Sequence, residues 1–130
     1  MKNSMAKVQT KVFLLIMLMA SVILLNGCGI GADNEKKLFD AMKDNGFLDL
    51  TCNYEDYDEV REVSQSPVPD TITYYDYSQD GKLYTIDYCS RILGENDSVY
   101  QVRVTIESEG KSDTKLYMFE KETFAFREKK

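Results

Sequence analysis

Residues 100–107 have the sequence YQVRVTIE, and this stretch indicates most clearly how the chain folds. Four apolar side chains alternate with four polar ones: Tyr100, Val102, Val104 and Ile106 against Gln101, Arg103, Thr105 and Glu107. A period of two places the apolar residues on one face of a β-strand and the polar residues on the other. We therefore expect a strand with one buried face and one wet face, which is typical of antiparallel sheets.

The same alternation predicts further strands along the chain. They are expected at 48–54, 71–77, 82–90 and 114–120, with a short addition at 124–126. The stretch 53–65 fits both helical spacing and an edge strand. We favour a loop followed by a strand, which Pro67 and Pro69 end because neither can donate a ladder hydrogen bond.

One amphipathic helix is expected before the strands, over about 34–45. Its apolar stripe consists of Leu38, Phe39, Ala41 and Met42. Asp33 is the expected N-cap, and Asn45-Gly46 is the expected stop. The chain is therefore predicted to be an α+β protein with one domain over 34–130, in which an N-terminal helix packs on an antiparallel sheet of four to five strands.

This order, a helix followed by a meander, resembles the cystatin-like folds found in several small extracytoplasmic lipoproteins. The resemblance implies a fold and not an activity. The inhibitory Gln-x-Val-x-Gly hairpin of true cystatins is missing, because Thr105 stands where the glycine after Gln101 should be. Inhibition of cysteine proteases is therefore not expected.

The N-terminus has the pattern of a cleavable export signal. Lys2, Lys7 and Lys11 precede an uncharged, mainly apolar stretch over 12–25. As a helix, that stretch spans ~21 Å, which is short of the ~30 Å hydrocarbon core of a bilayer. We therefore expect residues 1–27 to be a signal peptide that is removed, and not a permanent membrane span.

The end of this segment resembles the lipobox of bacterial lipoproteins: Leu25, Asn26, Gly27 and Cys28. The resemblance implies that the Cys28 thiol receives a diacylglycerol thioether, that the bond after Gly27 is cut, and that Cys28 becomes an acylated N-terminus. Residues 28–33 would then be a lipidated tether that holds the domain on the extracytoplasmic side of the cell membrane. The alternative is an ordinary cleaved signal with an unrelated cysteine.

Charge and composition restrict the function. Removal of the three signal lysines leaves 22 acidic and 13 basic residues, a net charge of −9, which disfavours binding to nucleic acid. The chain has no histidine, so a histidine base and a histidine-ligated zinc site are excluded. We expect a non-catalytic lipoprotein without a cofactor that binds a protein partner in the cell envelope, as an accessory, immunity or exclusion factor, through a sheet face or an edge strand.

The alternative function is binding of calcium or a small ligand. Asp76, Ser78, Asp80 and Asp87 resemble parts of an EF-hand loop, with Gly81 at the sharp turn. The tyrosines that alternate on either side of this stretch favour a β-hairpin, with Gly81 in a left-handed position beside a bulge. The Tyr-rich strands also fit a ligand-binding sheet face, although packing in the core is the favoured interpretation.

Two further features have open interpretations. Cys52 and Cys89 remain after lipidation, and we favour a disulfide between them over two buried thiols. An acidic run contains Glu55, Asp56, Asp58, Glu59 and Glu62. It is expected to form a solvated face, with binding of calcium or of a basic partner as the alternative.

Overall fold

A computed structural model describes residues 30–65 and 70–128 of the chain. One helix, α1 (Ala32–Asp44), precedes a six-stranded sheet. The strands are β1 (Glu59–Gln65), β2 (Asp70–Gln79), β3 (Lys82–Gly94), β4 (Asp97–Ser108), β5 (Lys111–Glu120) and β6 (Phe126–Arg127). They lie in chain order and every neighbouring pair is antiparallel. The α+β prediction is confirmed, but the sheet has six strands instead of four or five.

Helix α1 covers one face of the sheet, which we call the helix side. Its predicted apolar stripe is confirmed, because Leu38, Phe39 and Met42 are fully buried. The Phe39 ring lies 5.4 Å from the ring of Tyr77 on β2. The sheet contributes further core side chains from alternate positions: Tyr77, Tyr84, Ile86, Tyr88, Val102, Val104 and Phe119.

The predicted end of the helix is confirmed, and its predicted N-cap is wrong. Asn45 is the C-cap, and Gly46 follows with a φ of 78°, a conformation that glycine adopts without steric cost. The N-cap is Gly31, and Asp33 lies inside the first turn. In the first turn, the Asp33 carboxylate still interacts favourably with the positive end of the helix dipole. The sequence therefore marked the start of the helix correctly to within two residues.

The strand predicted at 48–54 is not formed. Leu48 and Leu50 are buried in the core as expected, but the segment has no strand neighbour, and Tyr54 begins a short 3₁₀ helix that ends at Asp56. The side chain of Gln79 replaces the missing strand. Its Oε1 accepts from the Thr51 backbone N–H at 2.8 Å, and its Nε2 donates to the Asp49 carbonyl at 2.8 Å.

The ambiguous stretch after this segment forms a loop and then strand β1, as favoured from the sequence. The β2–β3 hairpin is also confirmed. Its two turn residues, Asp80 and Gly81, both have positive φ, at 53° and 77°, which defines a tight two-residue connection. The predicted bulge beside Gly81 is wrong, since pairing is regular from Ser78↔Leu83 to Gln79↔Lys82. The irregularity instead lies between Ile92 and Gly94 in the next hairpin.

Candidate functional site

The residues predicted to carry the lipid lie outside the described part of the chain: Leu25, Asn26, Gly27 and Cys28. The first described residue, Ile30, packs against the core, and its carbonyl accepts a hydrogen bond from Asn34 Nδ2 at 2.8 Å. Helix α1 begins at Ala32, inside the stretch predicted to be a tether. The folded domain therefore begins within two residues of Cys28.

The four residues of the calcium-like motif are not brought together as ligands. Asp76 accepts two hydrogen bonds from the Arg61 guanidinium, at 2.8 and 3.0 Å, and one from Thr85 Oγ1 at 2.9 Å. The Arg61 guanidinium thereby lowers the pKa of the Asp76 carboxyl. Asp87 is bound separately by Arg103, at 2.9 and 3.2 Å.

The other two positions of that motif are used by the hairpin itself. Ser78 is paired with Leu83, and Asp80 is one of the two turn residues. Within 30–65 and 70–128, no group of three or more acidic or cysteine side chains is arranged to hold a metal ion. The carboxylates of Asp76 and Asp87 thus each form an ion pair with one arginine, on the face of the sheet opposite α1.

The favoured disulfide is wrong, because Cys52 and Cys89 are not bonded to each other. Cys52 lies in the loop before the 3₁₀ helix and packs against the core on the helix side. Cys89 is paired with Gln101 on β3 and β4, and it alternates with the buried Tyr88, so it lies on the opposite face. The sheet separates the two thiols, and the alternation in the sequence did not reveal this because Cys52 is not in a strand.

The tyrosines of the central strands are mostly core residues, as favoured. Tyr77, Tyr84 and Tyr88 are buried in the core, together with Tyr54 of the 3₁₀ helix. The buried carboxylate of Glu35 was not predicted from the sequence. Its Oε1 accepts hydrogen bonds from the hydroxyls of Tyr54 and Tyr75, at 2.6 and 2.7 Å. Helical spacing could have indicated that Glu35 is buried, since it lies three residues before Leu38 and four before Phe39, on the same face of the helix.

Strand β1 lies at one edge of the sheet and has an open side. It pairs with β2 on one side, and on its other side no described residue forms a ladder with it. Every residue over 59–64 is exposed. Two of them are apolar and point to opposite faces: Val60 is 45% exposed and Val63 is 42% exposed. We call this strand, with its open side, the β1 edge.

The β1 edge is acidic, because it continues the predicted acidic run, all of which is exposed as expected. Asp56 and Asp58 are engaged locally, since their carboxylates accept the backbone N–H groups of Asn53 and Ser78 at 3.0 and 2.7 Å. Glu59 and Glu62 have no ion-pair partner within 4.0 Å in the described structure. Their charges are therefore open to a binding partner.

Comparison with known proteins adds no relative: no protein-family model, curated protein or solved structure matches the chain. Among the described residues, no helix has the length and apolar character needed to cross a membrane. Function is therefore inferred from the chain's own residues and their geometry.

Proposed function

We propose that this chain is a lipid-anchored, non-catalytic protein of the bacterial cell envelope that binds a protein partner through the β1 edge. The observation that carries the proposal is the β1 edge itself, a strand with an open side on which residues 59–64 are exposed and Glu59 and Glu62 have no ion-pair partner in the described structure. The lipobox-like residues before Cys28 and the short distance from Cys28 to the folded domain support a location beside the membrane.

The anchor is tested by fatty-acid labelling of the full chain and of Cys28→Ala. The native chain is expected to incorporate label and to remain in the membrane fraction, since two acyl chains bind a bilayer firmly where one binds only marginally. Cys28→Ala is expected to incorporate none. A native chain without label, or a variant that is trimmed and retained like the native chain, would contradict the lipid anchor.

An open strand edge binds proteins because its unpaired N–H and C=O groups can form a ladder with an added strand. On the β1 edge, Val60 and Val63 offer one apolar contact on each face. Glu59 and Glu62 add negative charge that favours a basic partner and disfavours an acidic one. Charges on edge strands also prevent aggregation, and this protective role is the competing explanation.

Binding at the β1 edge is tested with a photoreactive phenylalanine analogue in place of Val63, in the full chain in its native membrane. We expect one discrete protein adduct. The matched control carries the analogue at Ile92, an apolar residue that is 81% exposed near the tip of the β3–β4 hairpin and does not belong to the β1 edge. Equal adducts from both positions, or none from either, would contradict the proposal.

Charge is tested in the same experiment. The double substitution Glu59→Lys and Glu62→Lys is expected to reduce the adduct at Val63 and to leave the fold unchanged, because both side chains are exposed and without ion-pair partners. Glu122→Lys, an identical change in an exposed turn, is the control and is expected to have no effect. An adduct that persists after reversal of both β1 charges would contradict a basic partner.

The proposed lack of catalysis is supported by the absence of histidine from the sequence and by the use of Asp76 and Asp87 in arginine pairs. We also propose that the arrangement is cystatin-like, because a first helix packs across one face of an antiparallel meander. An experimental structure in which α1 leaves that face would contradict this assignment.

A further inference from the structure

A second open edge lies at the opposite side of the sheet, on β5. Strand β5 pairs with β4 along its whole length, but with β6 only at Met118 and Phe119. The remaining part of its outer side, Lys111–Tyr117, has no strand neighbour in the described structure. Residues 111–116 are all exposed, including Leu116, which is 47% exposed. This seven-residue stretch is called the β5 edge.

The charges of the β5 edge alternate in sign along one face of the strand. Asp113 is paired with Ile106 and Lys115 with Val104, and both of these β4 residues face the helix side. Lys111 lies two residues before Asp113, so the side chains of all three point to the helix side. None of the three has an ion-pair partner within 4.0 Å among the described residues. A strand with this pattern is complementary to a second copy of itself that runs antiparallel.

We propose that two copies of this chain pair antiparallel through their β5 edges, with the two-fold axis at Thr114. Thr114 is the midpoint of Lys111–Tyr117, so this register uses the whole open stretch and ends where β6 begins to cover β5. It places Asp113 of each copy opposite Lys115 of the other, which gives two reciprocal ion pairs. The partner is thus a second copy of the chain, identified by charge complementarity.

Neighbouring registers and the other edge fit less well. An axis at Asp113 places Lys111 opposite Lys115 and sets Asp113 against itself, so that every charged pair is repulsive. The one basic residue of the β1 edge, Arg61, is already bound to Asp76, so Glu59 and Glu62 have no available basic group for pairing of two β1 edges. The β5 edge is therefore the surface for self-association, and the β1 edge stays open for another protein.

The geometry of the pair suits two molecules anchored in one membrane. An axis at Thr114, perpendicular to the sheet, keeps both copies of α1 on the same side of a continuous twelve-stranded sheet. Both Ile30 ends, next to the proposed lipid anchors, then lie on that same side. Pairing of two seven-residue edges is a small contact, so confinement to a membrane, which raises the effective concentration, is expected to favour it.

The proposal is tested by oxidative cross-linking of full-length Thr114→Cys in its native membrane. A residue on the two-fold axis lies opposite itself at ~5 Å between Cβ atoms, so a disulfide-linked dimer is expected. Thr114 is exposed and makes one hydrogen bond, to Thr105 Oγ1 at 2.9 Å, so the substitution is expected to be mild. The parent chain, which keeps Cys52 and Cys89, measures the background.

Ser112→Cys is the matched control, on the same strand, the same face and equally exposed. In the proposed register, two Ser112 residues lie four positions apart along the paired strands, ~13 Å, which is too far for a disulfide. Dimer from Thr114→Cys well above the parent and above Ser112→Cys supports the proposal. Background dimer from Thr114→Cys, or equal dimer from Ser112→Cys, overturns it.

Charge reversal supplies a second, independent measurement. In the Thr114→Cys background, Lys115→Asp sets two carboxylates against each other at both pairs and is expected to reduce the cross-linked fraction about fivefold. Adding Asp113→Lys restores opposite charges and is expected to restore the dimer. If the cross-linked fraction is the same in all three variants, or if adding Asp113→Lys does not restore it, the proposed register is overturned.

Discussion

Alkaline titration should unfold this domain abruptly, because several tyrosines are held neutral in the core. Burial raises the pKa of Tyr54, Tyr75, Tyr77 and Tyr88 well above the usual value. For Tyr54, the hydrogen bond to Glu35 raises it further. These pKa values are higher in the folded than in the unfolded state, so the stability they contribute is fully present below about pH 10 and is lost as the pH rises above it.

The magnitude follows from proton linkage. Each tyrosine that ionises only in the unfolded state lowers the free energy of unfolding by about 1.4 kcal/mol per pH unit. Four such groups give a slope of roughly 5 kcal/mol per pH unit above about pH 10. A domain with an ordinary stability of about 5–15 kcal/mol is then expected to unfold between about pH 11 and pH 13.

The assay follows tyrosinate absorbance and far-ultraviolet circular dichroism together during titration of the full chain in detergent. We expect the four core tyrosines to ionise in the same step in which secondary structure is lost. Tyr88→Phe is the sharpest variant, because its hydroxyl is buried without a hydrogen-bond partner in the described structure. It should leave stability at pH 7 unchanged or raise it by up to about 1 kcal/mol, while the alkaline slope falls by about a quarter.

Tyr54→Phe provides the contrast, because it removes a hydrogen bond to Glu35 and should cost about 1.5–3 kcal/mol at pH 7. Gradual ionisation of all tyrosines near pH 10, with the fold intact, would refute the reasoning. Equal costs for Tyr88→Phe and Tyr54→Phe at neutral pH would refute the assignment of their hydroxyls.

Three further outcomes are expected. Phe39→Ala should lower the free energy of unfolding by about 3–5 kcal/mol in chemical denaturation, because the ring is fully buried between α1 and the sheet; a loss below 1 kcal/mol would contradict this packing. The pKa of Asp76 is lowered by Arg61, so its contribution is present at neutral pH and disappears as the pH falls through about 4 and below; Arg61→Gln should flatten that acid dependence of the melting temperature. A reducing agent should leave the melting temperature unchanged, since Cys52 and Cys89 are not bonded. Millimolar calcium should also leave it unchanged, since Asp76 and Asp87 are engaged by arginines.

Local periodicity predicted most of the secondary structure. The alternation at 100–107 lies within β4, and the stripe of α1 is buried as expected. The stretch at 48–54 shows the limit of this reasoning. Its alternation correctly marks Leu48 and Leu50 as buried, but alternation reports burial and not a ladder. The side chain of Gln79, about thirty residues later, supplies the hydrogen bonds there, and no local pattern announces it.

The candidate surfaces were only partly visible in the sequence. The acidic run and its exposure were expected, but its position beside an open strand depends on β1 being first in the sheet. The β5 edge was not predicted, because the length of β6 could not be read from the sequence. In the structure β6 is only two residues long, so most of the outer side of β5 is uncovered. Glu35 was also missed, since a carboxylate on an apolar stripe acquires its meaning only when two tyrosine hydroxyls meet it.

Residue order and chemistry were enough to establish the α+β class, the helix stripe, the hairpin at Gly81, the acidic character and the lack of histidine. These features depend on residues that are close together in the sequence, so they can be read without knowing the tertiary structure. Tertiary contacts established which strands are edges, which face each cysteine occupies and which arginine each aspartate binds. Such pairings join residues far apart in the chain, and their free energy depends on distances that exist only after the sheet has formed.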